Sequence, residues 1–312
     1  MSFTTYGKVF DLVHPIWILR RMESEIRNLY DLLVFSSVYL ALECVAMTYI
    51  SCSIQEIPLS APAVMIPLFI TIGIYNLNRN TDEEEDAINR EARYRFTKRY
   101  EKYLLGGSLA AIASALGVSA LLNLPSLLIT LTPFLFGLLY SIPWLPPVSP
   151  YRRLKEIPLA KNLVVCISWA LPAAMLPVCL SGGAPSMRTL ILFLLFFSWG
   201  FLASASPDIR DRIGDERSNV RTIPVIYGEE RTRKIMTGVN LAFGGAILIL
   251  SCAFLTPLLT LLLGMTIVYA QACIHLLERH DVKDIVCDIL IDGQYIFFAG
   301  AFMVLVTFHV HL

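Results

Sequence analysis

Nine long apolar blocks constrain this chain more than anything else in it. They run roughly Leu29–Ser51, Ala61–Asn78, Tyr103–Asn123, Pro125–Ile142, Leu159–Leu180, Met187–Ser206, Ile235–Phe254, Pro257–Leu277 and Ile291–His311. Each is close to the ~20 residues that a helix needs to cross a hydrocarbon core of about 30 Å. Only 16% of the 312 residues are charged, against roughly 25% in a soluble domain. Lipid offers no partner to the edges of an open sheet, and a membrane barrel would show alternating segments of about ten residues. These blocks are apolar on both parities. The reading is an all-α, multi-pass membrane protein with nine transmembrane helices, organised as a single domain over residues 1–312. No short apolar leader with a small-residue cleavage site opens the chain, so no cleaved signal peptide is expected.

Charge then sets orientation. Of the 25 Lys and Arg residues, all but Arg188 fall before the first block or in the even-numbered connections. By the positive-inside rule those segments are cytoplasmic. The N-terminus is therefore expected inside and the C-terminus outside. The seven cysteines show no CxxC spacing and no His partners at zinc-site spacing, which makes them small apolar packing residues.

Two acidic segments stand out, one after the second block and one after the sixth. Neither junction carries a Gly- or Pro-rich break, so Tyr75–Arg99 and Ala203–Arg217 read as helices running past the membrane edge. In the first segment Asn78, Asp82 and Asp86 are four apart and share a helix face. Carboxylates and an amide stacked in this way repel unless a cation or proton lies between them. Hard oxygen donors of this kind suit Mg²⁺. Glu83, Glu84 and Glu85 fit a solvated face. In the second segment Asp208, Asp211 and Asp215 again fall on one stripe, flanked by Arg210 and Arg212. Both stripes are on one membrane side by the charge count, so they can face one another as a cup for Mg²⁺ and a diphosphate. A third cluster follows the fourth block: Tyr140-Ser141, then Arg152, Arg153, Lys155, Lys161 and Asn162. Its basic side chains can reach diphosphate oxygens, Arg bidentately and Lys as a point charge, although positive-inside bias also accounts for them.

These residues resemble the UbiA superfamily of intramembrane prenyltransferases. The first motif is similar to its NxxxDxxxD pattern at Asn78, Asp82 and Asp86, followed by Asn89-Arg90. The second is similar to its DxxDxxxD pattern at Asp208, Asp211 and Asp215, followed by Arg221-Thr222-Ile223-Pro224-Val225 and Gly228. The resemblance spans essentially the whole chain. It implies nine helices around a central cavity, capped on the cytoplasmic side by the helical 2–3 and 6–7 connections. It departs after Asn89-Arg90, where Glu91-Ala92-Arg93-Tyr94-Arg95-Phe96 replaces the usual proline-containing continuation. That departure leaves the branch of the family open and the diphosphate site intact.

What the resemblance implies is a Mg²⁺-dependent enzyme acting on an allylic prenyl diphosphate. Asp82, Asp86, Asp208 and Asp211 are its expected catalytic groups, and with Asn78 and Asp215 they form the expected metal set. Arg90, Arg153, Lys155, Lys161, Arg212 and Tyr140 are expected at the diphosphate. The head would sit in the charged cap, the tail between helices beside membrane lipid. Tyr75, Trp169 and Trp199, with Tyr140, can stabilise an allylic cation by cation–π attraction or simply pack. Transfer to a lipophilic acceptor, an aromatic ring or lipid hydroxyl, is the leading reading; terpene cyclisation without an acceptor is the alternative. A cation transporter fits less well, because transporter carboxylates sit mid-membrane and Glu43 is the lone in-span acid. His280, Asp281 and Asp284 read as a solvated loop, and His309 and His311 lie at the far end. Nothing suggests nucleic acid.

Overall fold

The computed structural model describes residues 25–307, apart from 82, 147, 149–150, 158 and 218–219. Among the described residues every regular element is a helix. A helix over residues 25–35 (α1) precedes α2 (Val38–Gln55), α3 (Ala61–Thr81), α4 (Glu83–Asn89), α5 (Glu91–Leu122) and α6 (Leu124–Ser141). Then come α7 (Ala160–Ser181), α8 (Met187–Arg217), α9 (Ile223–Tyr227), α10 (Glu229–Phe254) and α11 (Pro257–Leu276). The last described elements are a helical run His280–Ile291, which includes α12 (Lys283–Ile285), and α13 (Gln294–Thr307). Among the described residues eight helices are long and apolar enough to cross a membrane, and a bent pair makes a ninth span. The expected count holds, and the chain is an integral, multi-pass membrane protein.

The helices begin and end where local chemistry stops them. Asn123 accepts the Ser126 N–H ahead of α6, and Thr256 accepts the Leu259 N–H ahead of α11, each meeting one of the four donors a helix start leaves open. Gly182, at φ 68°, closes α7 in the left-handed region, the usual way a helix stops. The prolines inside α3, α6, α7 and α8 are tolerated because neighbouring helices and side chains satisfy the freed backbone groups.

α8 is the centre. Protein buries 67% of its membrane window, against 22% for α5 and for α6. It packs against α7 and α10 and also touches α2, α11 and the ninth span. Phe196 and Trp199 of α8 meet the Tyr295 ring edge-on, at centroid distances of 5.1 and 6.0 Å. Lipid tails are as apolar as leucine, so close packing of this kind, not hydrophobic burial, holds membrane helices together.

The ninth span is broken. His280–Ile291 and the following helix meet at 47°, and the segment Val286–Ile291 is wound as a π-helix. Gly293 sits at the bend, where a Cβ would overlap the Tyr39 hydroxyl. Hydrocarbon provides no water for the backbone groups such a break releases. The Tyr39 hydroxyl donates to Ile289 O (3.0 Å) and the Tyr269 hydroxyl to Leu290 O (2.9 Å). On the other side of the bend the Tyr295 and Ile296 N–H groups donate to the two Glu43 carboxylate oxygens at 2.9 and 3.0 Å. Glu43 is thus a cap for α13, supplied by the first span.

Several expectations change here. Tyr75–Arg99 is not one helix: α4 ends at Asn89 and Arg90 sits at φ −143° before α5 begins. α5 itself kinks at Tyr100 (φ −112°, ψ 15°), separating its charged first turns from its membrane part. Ala203–Arg217 does continue α8 as one helix. Residues 280–285, read as a loop, belong to the helical run, so the ninth span starts earlier than Ile291; His309 and His311 lie outside the described residues. Glu43 is not the lone in-span acid either, because Asp292 lies in the broken span. Of the cysteines, Cys52, Cys166, Cys273 and Cys287 are buried as expected, while Cys252 is exposed; all seven are free thiols.

Candidate active site

A cavity of about 310 Å³ opens between α2, α3, α6, α7, α8 and the ninth span. Its two ends differ in chemistry. One is lined by Asn78, Asp86, Asp211, Arg79, Arg93 and Arg210, together with Asp288 and Asp292. The other is lined by Tyr75, Tyr140, Trp169 and Trp199, with Phe136 and Phe196. Tyr75 and Trp169 stack at 5.4 Å, their planes 18° apart. A larger groove of about 980 Å³ between α10, α11 and α13 carries only apolar and weakly polar groups such as Leu248, Leu261 and Val268. It holds no charged residue and none of the motif residues, so the chemistry belongs to the smaller cavity.

The two motifs meet. The Asn89 amide of α4 donates to Asp215 of α8 at 3.3 Å, and Gly214 leaves the room for it, since a Cβ there would overlap Asn89 Oδ1. Ser141 donates to Asn78 Oδ1 at 3.2 Å, joining α6 to the first motif. Asp82 lies outside the described residues.

Each described motif acid already holds a partner. Arg93 Nε donates to Asp86 Oδ2 at 3.0 Å, and its Nη2 contacts Oδ1. Lys161 Nζ donates to Asp208 at 2.5 Å. Arg210 grips Asp211 with Nε and Nη2 at 2.8 and 2.9 Å. The third nitrogen of Arg210 reaches Asp288 of the ninth span at 2.8 Å. Asp288 also accepts from Arg90 (2.6 Å) and from the Tyr30 hydroxyl (2.5 Å). It therefore ties α1, the 2–3 connection, α8 and the ninth span at one point. Asp288, Arg210 and Arg90 are 9, 9 and 10% exposed at their side chains. Charges that deep are held only by mutual pairing.

The expected diphosphate set is dispersed. Tyr140 lines the cavity, but Arg90, Arg153, Lys155, Lys161 and Arg212 do not. Arg90 is committed to Asp284 and Asp288, and Arg212 faces Glu229 at 3.4 Å. Arg153 Nε donates to Glu156 at 2.8 Å. Burial pushes the Glu156 carboxyl up, but N–H donors from Arg152 and Arg153 outweigh it and hold it below the usual carboxylate range. The cations facing the cavity are Arg79, Arg93 and Arg210. Asp288 and Asp292 escaped the sequence reading. A signal was present, since Asp284, Asp288 and Asp292 repeat at four-residue spacing, the same pattern that marked the motifs.

Hard-oxygen donors Asn78, Asp86 and Asp211 facing one cavity suit a Mg²⁺ ion. Asp208 Oδ2 and Asp215 Oδ2 are buried with no hydrogen-bond partner among the described residues, and buried carboxylate oxygens call for a donor, water or cation. Among the described residues no three acidic, His or Cys side chains are gathered as a ready ligand cluster. The donor set fits the ion, provided that Arg93 and Arg210 give way.

Comparison with known proteins bears on the fold directly. The UbiA prenyltransferase family is matched over residues 38–287. A UbiA homolog from Archaeoglobus fulgidus bound to GPP and Mg²⁺ is similar at 14% identity, over 86% of this chain and 98% of that one, with a TM-score of 0.63. The apo UbiA homolog from Aeropyrum pernix K1 is similar at 16% identity, over 86% and 98%, with a TM-score of 0.64. A digeranylgeranylglyceryl phosphate synthase is similar at 18% identity, over 88% and 97%, with a TM-score of 0.57. No curated protein matches the chain. At such identities the likeness to these structures is one of fold.

Proposed function

The chain belongs to the UbiA prenyltransferase family, and from that premise we propose a Mg²⁺-dependent enzyme that ionises an allylic isoprenyl diphosphate and transfers the prenyl group to a lipophilic acceptor. The observation that carries this reading is the two-ended cavity, with residues of both acidic motifs at one end and stacked aromatic rings at the other. An anionic head with an apolar tail needs those two ends in that order. The relative bound to GPP and Mg²⁺ supports the ligand class.

In this reading Asn78, Asp86 and Asp211, with Asp82, Asp208 and Asp215, hold the metal. Bound Mg²⁺ supplies charge neutralisation at the leaving diphosphate as the C–O bond breaks. Arg93 and Arg210, released from Asp86 and Asp211, are then free to bind diphosphate oxygens as charge-assisted donors. Asp288 keeps Arg210 aimed at the cavity throughout. Tyr75 and Trp169 present ring faces to the allylic cation, and the apolar walls exclude water that would otherwise capture it. The charged end faces the cytoplasm in this reading, by the distribution of Lys and Arg, within one domain whose N-terminus is also cytoplasmic.

The test incubates purified protein with Mg²⁺ and C10 to C20 prenyl diphosphates and measures diphosphate release. Release that depends on Mg²⁺, is stopped by EDTA, and is lost in Asp82→Ala and Asp208→Ala is the expected outcome. Release unchanged by both substitutions sinks the reading. Mass spectrometry of the acceptor-free products decides between transfer and cyclisation, because a cyclic terpene appears only in the latter.

A further inference from the structure

The apolar end of the cavity stops at an indole. On α7 the lining reaches Trp169 and goes no further, and a second cavity of about 20 Å³ begins at the same residue and runs on to Leu176. The other helices agree. On α6 the main cavity is lined from Tyr140 to Pro133 and the small one from Pro133 to Thr130; on α3 the first stops at Ile74 and the second starts at Ile70. The small cavity therefore continues the large one on the side away from the charged end. Cys44, Met47, Pro133 and Trp169 line both, and Trp169 is the largest side chain of the four. Its indole is held there by stacking on Tyr75 at 5.4 Å and by packing against the Ile70 and Ile74 cluster.

That wall has a chemical meaning. The main cavity, about 310 Å³, is at the lower end of the roughly 300–1,000 Å³ of ligand pockets, and metal, diphosphate and tail must share it. The tail it holds is short. Beyond the indole the walls suit hydrocarbon. The Thr48 and Thr130 hydroxyls donate to Cys44 O and Ser126 O of their own helices at 3.0 and 2.8 Å, and Ile66, Ala173 and Leu176 are apolar. Without the indole the two spaces would join, and the pocket would reach from residue 169 to residue 176, about 10 Å further along α7.

We propose that Trp169 sets the prenyl chain length, and that the substrate is a C10 diphosphate whose tail ends against the indole. This rests on the prenyl diphosphate reading above and narrows its substrate class. The stacked pair divides the work: Tyr75, three residues before Asn78 on α3, is nearer the diphosphate, and Trp169 bounds the far end.

Binding separates this role from any part that Trp169 plays in ionisation. Thiolodiphosphate analogues with C10, C15 and C20 chains, in which sulfur replaces the oxygen on the allylic carbon and slows ionisation, are titrated into protein in nanodiscs with Mg²⁺. Affinities are read by calorimetry against empty nanodiscs of the same lipid. The unmodified protein should bind the C10 analogue about tenfold tighter than the C15, the discrimination an apolar pocket makes against a surplus group. In Trp169→Ala the C15 analogue should bind at least as tightly as the C10, with Trp169→Phe between. Ala173 lines the small cavity and not the large one. Ala173→Leu alone should therefore leave C10 binding unchanged and, added to Trp169→Ala, should bring the C10 preference back. A merely structural loss at Trp169 would not be reversed in that way. Equal binding of C10 and C15 by the unmodified protein, an unchanged ratio in Trp169→Ala, or a double variant that keeps the ratio of Trp169→Ala overturns the proposal. Failure of every analogue to bind the unmodified protein overturns the prenyl diphosphate reading itself, whereas tight binding without regard to length overturns only the role of Trp169.

Discussion

α8 and the ninth span both bring acids spaced by about one turn to the same cavity, and they do so by opposite means. α8 is one unbroken helix of 31 residues whose apolar part runs straight into Asp208, Asp211 and Asp215. The ninth span changes winding three times and direction once before it is complete. On α8 each carboxylate has a basic partner or an amide from the first motif. On the ninth span Asp288 gathers three donors from three other elements, and Asp292 gathers none of those described. A straight helix delivers a repeating row of similar groups, suited to metal and diphosphate. A broken one lets neighbouring acids take different surroundings, and hence different tasks.

Substitutions can break this contrast. The largest effect is expected on α8, where Asp211→Ala should lower diphosphate release by roughly 10²- to 10³-fold, in line with losing a group that stabilises developing charge, while size-exclusion profile and helicity stay unchanged. Next is Asp288→Ala, which leaves Arg90 and Arg210 buried without their shared partner. Removing one member of such a buried set costs about 3–5 kcal/mol, seen as a lower thermal unfolding midpoint in detergent. Asp284→Ala, at a side chain 67% exposed, is the control; equal destabilisation by both would end the idea that Asp288 is a junction. Glu43→Gln keeps one acceptor oxygen for two N–H groups, and about 1–3 kcal/mol is expected for the donor left behind. Hydrogen exchange should then quicken at Tyr295 and Ile296 more than anywhere on α8. The smallest effect belongs to Asn89→Ala, which removes a 3.3 Å bond to Asp215 worth about 1 kcal/mol. A few-fold drop in release with little change in unfolding midpoint would sharpen the view that α4 aligns the motifs without holding the fold.

The same contrast explains what could be read from residues alone. Nine spans were legible because apolar blocks of helical length have few other uses. Asn78, Asp86, Asp211 and the rings of Tyr75, Tyr140, Trp169 and Trp199 were legible because an uninterrupted helix converts spacing into a shared face, and they do line one cavity. Arg90, Lys161 and Arg212, expected at the diphosphate, pair here with carboxylates of other elements, Lys161 with Asp208 of the second motif. Partner choice of that kind depends on tertiary approach, which no spacing encodes. Asp288 and Asp292 stayed hidden because Arg279, Lys283 and Gly293 look like loop punctuation around them, which masks the four-residue spacing they share with Asp284. Arg188, the one basic residue on the other side, pairs with Glu56 at 2.7 Å, so even the exception to the charge pattern has a local use.

The grip of Glu43 on the Tyr295 and Ile296 N–H groups has a consequence for how the protein is made. The two parties lie some 250 residues apart in the chain, so the first membrane helix to leave the ribosome must wait, acid unsatisfied, until the last has been delivered. The bond that ties the first span to α13 can therefore form only after nearly the whole chain has been made.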